Sequence, residues 1–580
     1  MNPFLQFDFT GENNQVNRIN FHQPIRIYQT YDLEEIKSLF SAIEQDSANG
    51  FYVAGFVSYE AAPAFEPRSK VHRQPGDLPL IWFGVFDKPT KDQLLSSSSD
   101  YHVSDWVLTA HFDEYQAGID SIKEAIENGD TYQINYTTKL RADFDGNDYS
   151  FYKQIAHNQQ SSYSAYLNIG RFRILSASPE LFFQIDQGKV TTKPMKGTAK
   201  RGKFLEEDEN NIETLVNSEK EMAENLMIVD LLRNDLGRIA KPGTVNVSNL
   251  FSVETYPTVH QMTSEINAEL EQDTTVFDWF KALFPCGSIT GAPKIRTMDY
   301  IAELEQSPRE VYCGAIGFIS PNKQKAVFNV PIRTVVVDRE KKSASYGVGS
   351  GVTWDSTATG EYEELYTKAM LLTAKRQSFH LLESLLLKNG EYPLLSYHLK
   401  RISKSASYFG FKLQQEEIIN QLKQTANSFS TGDHKVRMTV DVDGTVAIES
   451  IPLTYMTQPV VCSIALEPVN RDDVFLYHKT TNRQTYQRHT SHVPTNVFST
   501  LLWNENEECT EFTIGNLVVE KDGHFYTPPI GSGLLAGTFR QHLLEQGKIM
   551  EKIILKQELM TYERIWFING VRGWLQVNLV

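Results

Sequence analysis

In the stretch Thr191-Thr192-Lys193-Pro194-Met195-Lys196-Gly197-Thr198-Ala199-Lys200-Arg201-Gly202, one lysine stands between chain breakers. Pro194 fixes its own φ and removes a backbone donor, and Gly197 lets the chain turn sharply. Lys196 is therefore expected at a rigid bend, not on a solvated helix. A turn lysine is ordinarily a basic surface residue. It becomes a nucleophile when burial or nearby cations lower its pKa, and Lys193, Lys200 and Arg201 are the sequence neighbours able to do so.

Carboxylates offer a second chemistry. Glu180 follows a proline in the apolar run Ser176-Ala177-Ser178-Pro179-Glu180-Leu181-Phe182-Phe183. Buried there, it would have a raised pKa and could move protons; on an exposed edge strand it would do neither. Glu221 and Glu224 share one face of a predicted helix from Ser218 to Gly237. Met222, Leu226, Val229, Leu232 and Leu236 recur on that helix at core spacing, and Gly237 is a plausible terminator. Glu361 and Glu364 repeat the i, i+3 spacing where a helix near Tyr362 to Ala374 opens. Such pairs are commonly solvated acidic faces. Two of them could also give oxygen ligands to one Mg²⁺, with water and substrate completing the octahedron.

The elements that must position these groups follow from the same rows. Phe51 to Glu60 reads as a buried strand broken by glycine, and Tyr115 to Asn128 as a helix followed by a turn at Gly129-Asp130 and a strand. A hairpin-like region spans Phe172 to Ile185. Gly291 and Pro293 in Gly287-Ser288-Ile289-Thr290-Gly291-Ala292-Pro293-Lys294 read as a turn into a helix, whose free N–H groups attract anions. Past Phe379, Leu381 to Leu387 reads as a strand, Asn389-Gly390 as a tight turn, Tyr392 to Leu395 as the return strand, and Tyr397 to Tyr408 as a helix. Ser96 to Ser99 reads as a loop.

Several of these segments are similar to one known family. Pro194-Met195-Lys196-Gly197-Thr198 resembles the Pro-Ile-Lys-Gly-Thr segment of the aminodeoxychorismate synthase component I branch of the chorismate-utilising enzymes, where the anthranilate branch typically has alanine for the lysine. Ser58-Tyr59-Glu60-Ala61-Ala62, Ser178-Pro179-Glu180, Ala223 to Asp235 and Gly287 to Lys294 match further segments of that family. The resemblance implies Lys196 as covalent nucleophile and Glu180 as acid/base. It implies Mg²⁺ bound by Glu224 and Glu364, with Glu221 and Glu361 nearby. It implies substrate contacts at Gly291, Ala292, Lys294, Tyr312, Arg333, Gly349 and Gly351. Where anthranilate synthases carry a His-x-x-Ser histidine, Gln261 stands here if Ser264 is the anchor. His260 is one residue off and faces the other way, so it is given no role.

The C-terminal part resembles fold-type IV pyridoxal-phosphate enzymes, without their usual N-terminal strand. Tyr397-His398-Leu399-Lys400-Arg401, His478-Lys479-Thr480-Thr481-Asn482-Arg483, Glu508 to Asn516 and Gly533 to Thr538 arrive in family order. The resemblance implies Arg401, Gly537 and Thr538 at the cofactor phosphate, Lys479 as Schiff-base lysine, and Glu511 holding the pyridine nitrogen protonated. Within that fold the set is most like 4-amino-4-deoxychorismate lyase, although branched-chain and D-amino-acid aminotransferases share it.

The expectation is an α+β chain of two domains. Residues 1–375 are expected as two antiparallel sheets in a sandwich flanked by helices, and residues 376–580 as a fold-type IV α+β domain. The implied function is amination of chorismate with ammonia, then elimination of pyruvate to give 4-aminobenzoate for folate synthesis. The alternative is an anthranilate-type enzyme fused to an aminotransferase. The implied partners are chorismate, ammonia and a separate glutamine amidotransferase subunit, and a homodimer through the C-terminal domain stays open. The net charge of -16 argues against general binding to nucleic acid or anionic membranes. No window reads as a signal peptide or membrane span. Cys286, Cys313, Cys462 and Cys509 are too widely spaced for a zinc pattern or disulfide framework, which fits a reducing cytosol.

Overall fold

Pro179 and Glu180 mark the point where the chain leaves one sheet for another. Strand Phe172–Ser178 pairs with Tyr163–Asn168 and Thr334–Asp338 in one ten-stranded sheet. Strand Leu181–Asp186 pairs with Lys189–Lys193 and Lys325–Asn329 in a second ten-stranded sheet. The expected hairpin over Phe172 to Ile185 is thus corrected: both halves are strands, but they never pair. Pro179 cannot continue a ladder, and the residue after it is left at the crossing. These relations come from a computed structural model describing residues 3–11, 15–90, 100–490, 494 and 496–580. The loop expected at Ser96 to Ser99 lies outside the described residues.

The chain divides into two units, Met1–Lys200 with Ile212–Arg376, and Arg201–Asn211 with Gln377–Val580. In the first unit the two sheets share a core. Phe7, Phe9 and Phe21 of one meet Phe56, Trp82, Phe86 and Phe318 of the other, with Phe7 edge-on to Phe318 at 5.5 Å between ring centroids. Alternate side chains point to opposite faces of a strand, so the opposite faces carry the larger cluster. There helices Leu33–Ala48, Val276–Leu283 and Glu219–Leu236 pack on the strands. Strand Tyr52–Val57 runs unbroken through Gly55. The glycine is needed because a Cβ there would lie 1.9 Å from the Trp82 carbonyl oxygen.

Helix Glu219–Leu236 is capped by the Ser218 side chain and ends at Gly237. Its buried face is Asn225, Ile228, Val229, Leu232, Asp235 and Leu236. The expected stripe is corrected at its start, where Leu226 is exposed and Met222 half-buried. The two carboxylate-bearing helices begin cleanly, the second as Ala358–Thr373 with Thr357 as N-cap.

In the second unit a three-stranded antiparallel sheet, Leu381–Lys388, Asp433–Val440 and Val446–Pro452, packs on helices Leu395–Phe409 and Gln415–Ser428. The expected return strand Tyr392 to Leu395 does not form. Leu381–Lys388 takes Asp433–Val440 as its neighbour, and only the bridge Lys388 to Glu391 remains of the hairpin. An eight-stranded mixed sheet completes the unit, with Val460–Ile464 parallel to Ser499–Trp503 and to Gly573–Leu579. Both units are α+β. Among the described residues no helix is long and apolar enough to cross a membrane.

One buried ion pair ties the loop before Gly291 to the first sheet. The Arg309 guanidinium donates to Glu305 at 2.6 and 2.9 Å, and to the carbonyls of Ile289 and Asn135 at 2.8 and 2.6 Å. Glu305 also accepts from the Thr137 N–H and hydroxyl. Arg309→Met would leave Glu305 as an uncompensated buried charge. Urea unfolding of that variant is expected to show a loss of about 3–5 kcal/mol; unchanged stability would contradict the pinning.

Candidate active sites

Strands Lys189–Lys193 and Met195–Lys200 both pair with Val259–Glu269, with Pro194 between them. The register slips between Met195 and Thr198, and Gly197 has φ +96°, a conformation glycine adopts without steric cost. Lys196 therefore stands outside the ladder, and side chains hold its backbone. Its carbonyl accepts from the Asn225 amide at 3.0 Å, and that of Gly197 from the Gln261 amide at 2.9 Å. Asn225 accepts in turn from the Ser264 hydroxyl at 2.6 Å. This polar work explains why the helix buries Asn225, a residue outside the expected apolar stripe. His260 is buried, with Nδ1 3.1 Å from the Thr255 hydroxyl.

The Lys196 ammonium occupies the place a side chain at Gly351 would need. A Cβ there would lie 2.5 Å from Lys196 Nζ and 1.7 Å from Gln133 Nε2. Similar crowding fixes Gly349 and Gly291, where an added Cβ would lie 2.2 Å from the Tyr136 carbonyl oxygen and 2.0 Å from that of Gln133. Gly291 and Ala292 pair with Ile134 and Gln133, so this strand joins the glycine loop to Lys196.

The expected source of cations is corrected. Lys193 pairs with Glu254, and Arg201, past the end of strand Met195–Lys200 and in the other unit, pairs with Asp208 at 2.8 Å. The charges that act with Lys196 are Glu180, Glu224 and Lys368. Burial pushes the Glu180 carboxyl up to about 7, opposed by a 2.5 Å hydrogen bond from the Ser288 hydroxyl and by the Lys196 charge. Burial likewise lowers the Lys368 ammonium, which donates to the Gly349 carbonyl at 2.7 Å and pairs with Glu364 at 2.8 Å. Arg333, at φ +53°, donates to the Lys368 carbonyl at 2.6 Å. Tyr312 is buried, its ring 2.3 Å from the point a Cβ on Gly347 would occupy. Lys294 is committed elsewhere. Its ammonium pairs with the buried Asp235 at 2.6 Å and donates to the Leu283 carbonyl.

The four glutamates expected at the metal are all-oxygen donors, the type Mg²⁺ takes. Burial raises Glu224, and the charges of Glu221 and Glu361 add to that rise, so a cation here would relieve a real repulsion. Among the described residues no three acidic, His or Cys side chains already close on a metal-sized point. Glu361 accepts from the Ser350 hydroxyl, and Glu364 is drawn to Lys368. The donor chemistry fits Mg²⁺, with those two side chains held by protein partners.

In the second unit Lys479 lies on the loop before helix Gln484–Arg488. Burial and the charges of Arg401 and Arg483 push its ammonium down to about 7, against Glu383 and Glu511. Burial raises Glu511 to about 7, although the Tyr486 hydroxyl donates to it at 2.8 Å and the Leu535 N–H at 3.2 Å. The Asn516 amide nitrogen lies 3.3 Å from the same carboxylate. Arg401 donates through Nε and a terminal nitrogen to Glu383 at 2.8 and 2.6 Å, and to the Ala536 carbonyl. Although burial opposes it, Arg401 and His398 hold Glu383 down at about 2. Gly537 caps helix Thr538–Glu545 with no side chain of its own over the first turn. A Cβ there would strike Asn516 Oδ1 at 1.8 Å. An arginine beside a bare helix start suits a phosphate, and a lysine with a depressed pKa suits an imine. The residues present fit pyridoxal phosphate.

Residues 87–374 match the chorismate binding enzyme family, and residues 380–580 match amino-transferase class IV. The aminodeoxychorismate synthase component 1 of Escherichia coli is 37% identical over 339 residues, covering 54% of this chain and 74% of that protein. The chain belongs to the chorismate binding enzyme family. The corresponding protein of Salmonella typhimurium is 39% identical over 255 residues, 44% of this chain; the chain spans 56% of that relative's length. The crystal structure of anthranilate synthase component I from Streptococcus pneumoniae aligns over 64% of this chain and 91% of its own, with a TM-score of 0.52 and 27% identity.

The sequence did not single out Gln133, Asn225, Ser288 or Lys368 at the first site of this family member, nor Glu383, His398, Tyr486 and Asn516 at the second. Asn225 carried a signal, as a polar residue at helical spacing from Val229 and Leu232. Lys368 did not, because Glu364 and Lys368 read as an ordinary i, i+4 surface pair. A hydrogen bond to the charged form of a carboxylate lowers its pKa. Ser288→Ala is therefore expected to move the Glu180 titration, read by carboxyl NMR, upward from about 7; a downward move would contradict the placement.

Proposed function

We propose that the first unit aminates chorismate to 4-amino-4-deoxychorismate and that the second removes pyruvate to leave 4-aminobenzoate. The observation that carries this reading is Lys196, lifted out of the sheet beside a protonatable Glu180 and backed by Gly351. Mg²⁺, when bound, would neutralise the ring carboxylate of the substrate and polarise the site. The glycine-bordered strand at Gly291-Ala292, with Arg333 and the backbone of Gly349, lines the substrate space. Tyr312 supports it from beneath Gly347. Lys196 adds to the ring as the hydroxyl leaves, and Glu180 gives the proton that makes it water. Ammonia then bonds to the carbon that had carried the hydroxyl as the Lys196 amine departs.

Pyridoxal phosphate in the second unit would act as an electron sink for the ring carbanion. Arg401 and the first turn at Gly537 and Thr538 would hold its phosphate, and Glu511 its pyridine proton. Lys479, with a pKa near 7, is poised to be a neutral amine and takes the ring proton; loss of pyruvate then aromatises the ring. Lys479→Ala in the full chain is expected to keep consuming chorismate and ammonium, to release no pyruvate and to accumulate 4-amino-4-deoxychorismate by chromatography. Parental output of 4-aminobenzoate would refute the second half. Anthranilate as the product of the parent would instead favour the alternative first half.

The ammonia comes from a separate glutamine amidotransferase subunit. Burial pushes the four thiols up to about 12, 12, 11 and 12 for Cys286, Cys313, Cys462 and Cys509, far from the thiolate that glutamine hydrolysis requires. Four unpaired cysteines also suit the cytoplasm. The purified chain is expected to turn over with ammonium and not with glutamine; glutamine-driven turnover by the chain alone would contradict this.

A further inference from the structure

Residues Arg201–Asn211 follow the strand of Lys196 directly, yet they belong to the second unit. The segment is internally closed. Arg201 Nε and the Gly202 N–H donate to Asp208 at 2.8 and 2.7 Å, and the Lys203 N–H to Glu207 at 2.9 Å. A side chain at Gly202 would strike the Asp208 backbone nitrogen at 2.2 Å. Its other contacts converge on one place. The Arg201 guanidinium lies over the Tyr408 ring at 4.3 Å and donates to the Tyr408 carbonyl at 2.8 Å, while the Tyr408 hydroxyl donates to the Gly202 carbonyl at 2.7 Å. Phe204 packs into the cluster of Leu476, Tyr477 and Tyr486, 5.6 Å from the Tyr477 ring. Tyr486 is the residue that donates to Glu511.

The decisive contact is His478 Nε2 at 3.2 Å from the Lys203 carbonyl. A carbonyl only accepts, so Nε2 carries the proton. Nδ1 then offers a lone pair, and the Ser405 hydroxyl, 2.9 Å away, donates to it. One neutral tautomer satisfies both bonds. Burial keeps the ring neutral, with its pKa down to about 4, and the rings of Tyr408 and Phe409 lie 4.4 and 4.7 Å from it. Ser405 stands one helical turn after Arg401, on the same face. Lys479 is the residue after His478, and its own carbonyl is held by the Leu382 N–H at 2.9 Å. His478 thus joins three parts: the helix of Arg401, the loop of Lys479 and the segment from the other half of the sequence.

We propose that Arg201–Asn211 is a working part of the Lys479 site, a strap that fixes Lys479 against Arg401 through His478. Phe204 and the Lys203 carbonyl act as positioning groups; neither touches the cofactor. The strap rests on the reading of Lys479 as the cofactor-bearing lysine. Residues 376–580 alone therefore lack the support that holds His478, and through it Lys479.

The test uses the full chain freed of cofactor and titrated with pyridoxal 5′-phosphate. The visible absorbance reports cofactor joined to lysine, and the visible circular dichroism reports how rigidly it is held. Phe204→Ala is expected to raise the apparent Kd about tenfold or more, and at saturation to keep the absorbance while losing most of the dichroism. Phe204→Leu, which keeps an apolar wedge, is expected to restore both. Tyr408→Phe removes one hydroxyl without a cavity and is expected to raise Kd roughly fivefold, which keeps the test decisive if Phe204→Ala fails to fold. Parental Kd and dichroism in the folded variants would overturn the strap alone. A parent chain with no visible band would overturn the cofactor reading, and the strap with it.

Discussion

A hydrogen-bond ladder that cannot continue is the constraint on which the first site depends. Pro194 has no N–H to give, and Gly197 turns into a left-handed conformation. The pairing on Val259–Glu269 keeps one register across Pro194, from Thr192 with Ile266 to Met195 with Thr263, and slips by one residue at Lys196 and Gly197, before Thr198 pairs with Gln261. A residue expelled from a ladder leaves its carbonyl unpaired, and an unpaired buried carbonyl is costly. Asn225 and Gln261 satisfy the two exposed carbonyls from neighbouring elements. That repair is what aims Lys196, because a clamped backbone leaves only the side chain free to reach Gly351. The sheet crossing at Pro179-Glu180 works in the same way. It leaves a carboxylate with no strand neighbour to face, buried against the Ser288 hydroxyl.

The two lysines reach their stations by different electrostatics. Lys479 is surrounded by Arg401 and Arg483 on one side and by Glu383 and Glu511 on the other. Burial decides the balance, because desolvation disfavours a lone ammonium more than distant carboxylates favour it. Glu383, held down at about 2 by Arg401 and His398, is the stronger of the two opposing carboxylates, ahead of Glu511. At the first site the charges that act with Lys196 are of both signs, Glu180 and Glu224 against Lys368. A divalent cation among the glutamates would change that field strongly.

What the sequence made legible was local. The ends of Glu219–Leu236 follow from Ser218 and Gly237, and the carboxylate spacing places Glu221 with Glu224 and Glu361 with Glu364 on single helix faces. The bend at Lys196 follows from Pro194 and Gly197. The partners were not legible, because they are set by strand order across long separations. Glu180 meets Ser288, 108 residues away, only because the chain changes sheets before it. Lys193 and Arg201 look like cations for Lys196 in a linear reading, but strand alternation and a separate unit take both away. The turn at Asn389-Gly390 forms, with both residues at positive φ and Lys388 bridged to Glu391, but the return strand Tyr392 to Leu395 does not. The strand before the turn takes Asp433–Val440, far along the chain, as its partner, and tertiary pairing replaces the local return strand.

The central claim is that the ladder break makes Lys196 a nucleophile toward the chorismate ring. Incubating the full chain with chorismate and Mg²⁺ in the absence of ammonium, then mapping its peptides by mass spectrometry, tests this most directly. The account predicts that the peptide carrying Lys196 gains the mass of chorismate less one water, and that added ammonium removes the modification. An unmodified Lys196 peptide, in a sample that goes on to aminate chorismate once ammonium is supplied, would contradict it.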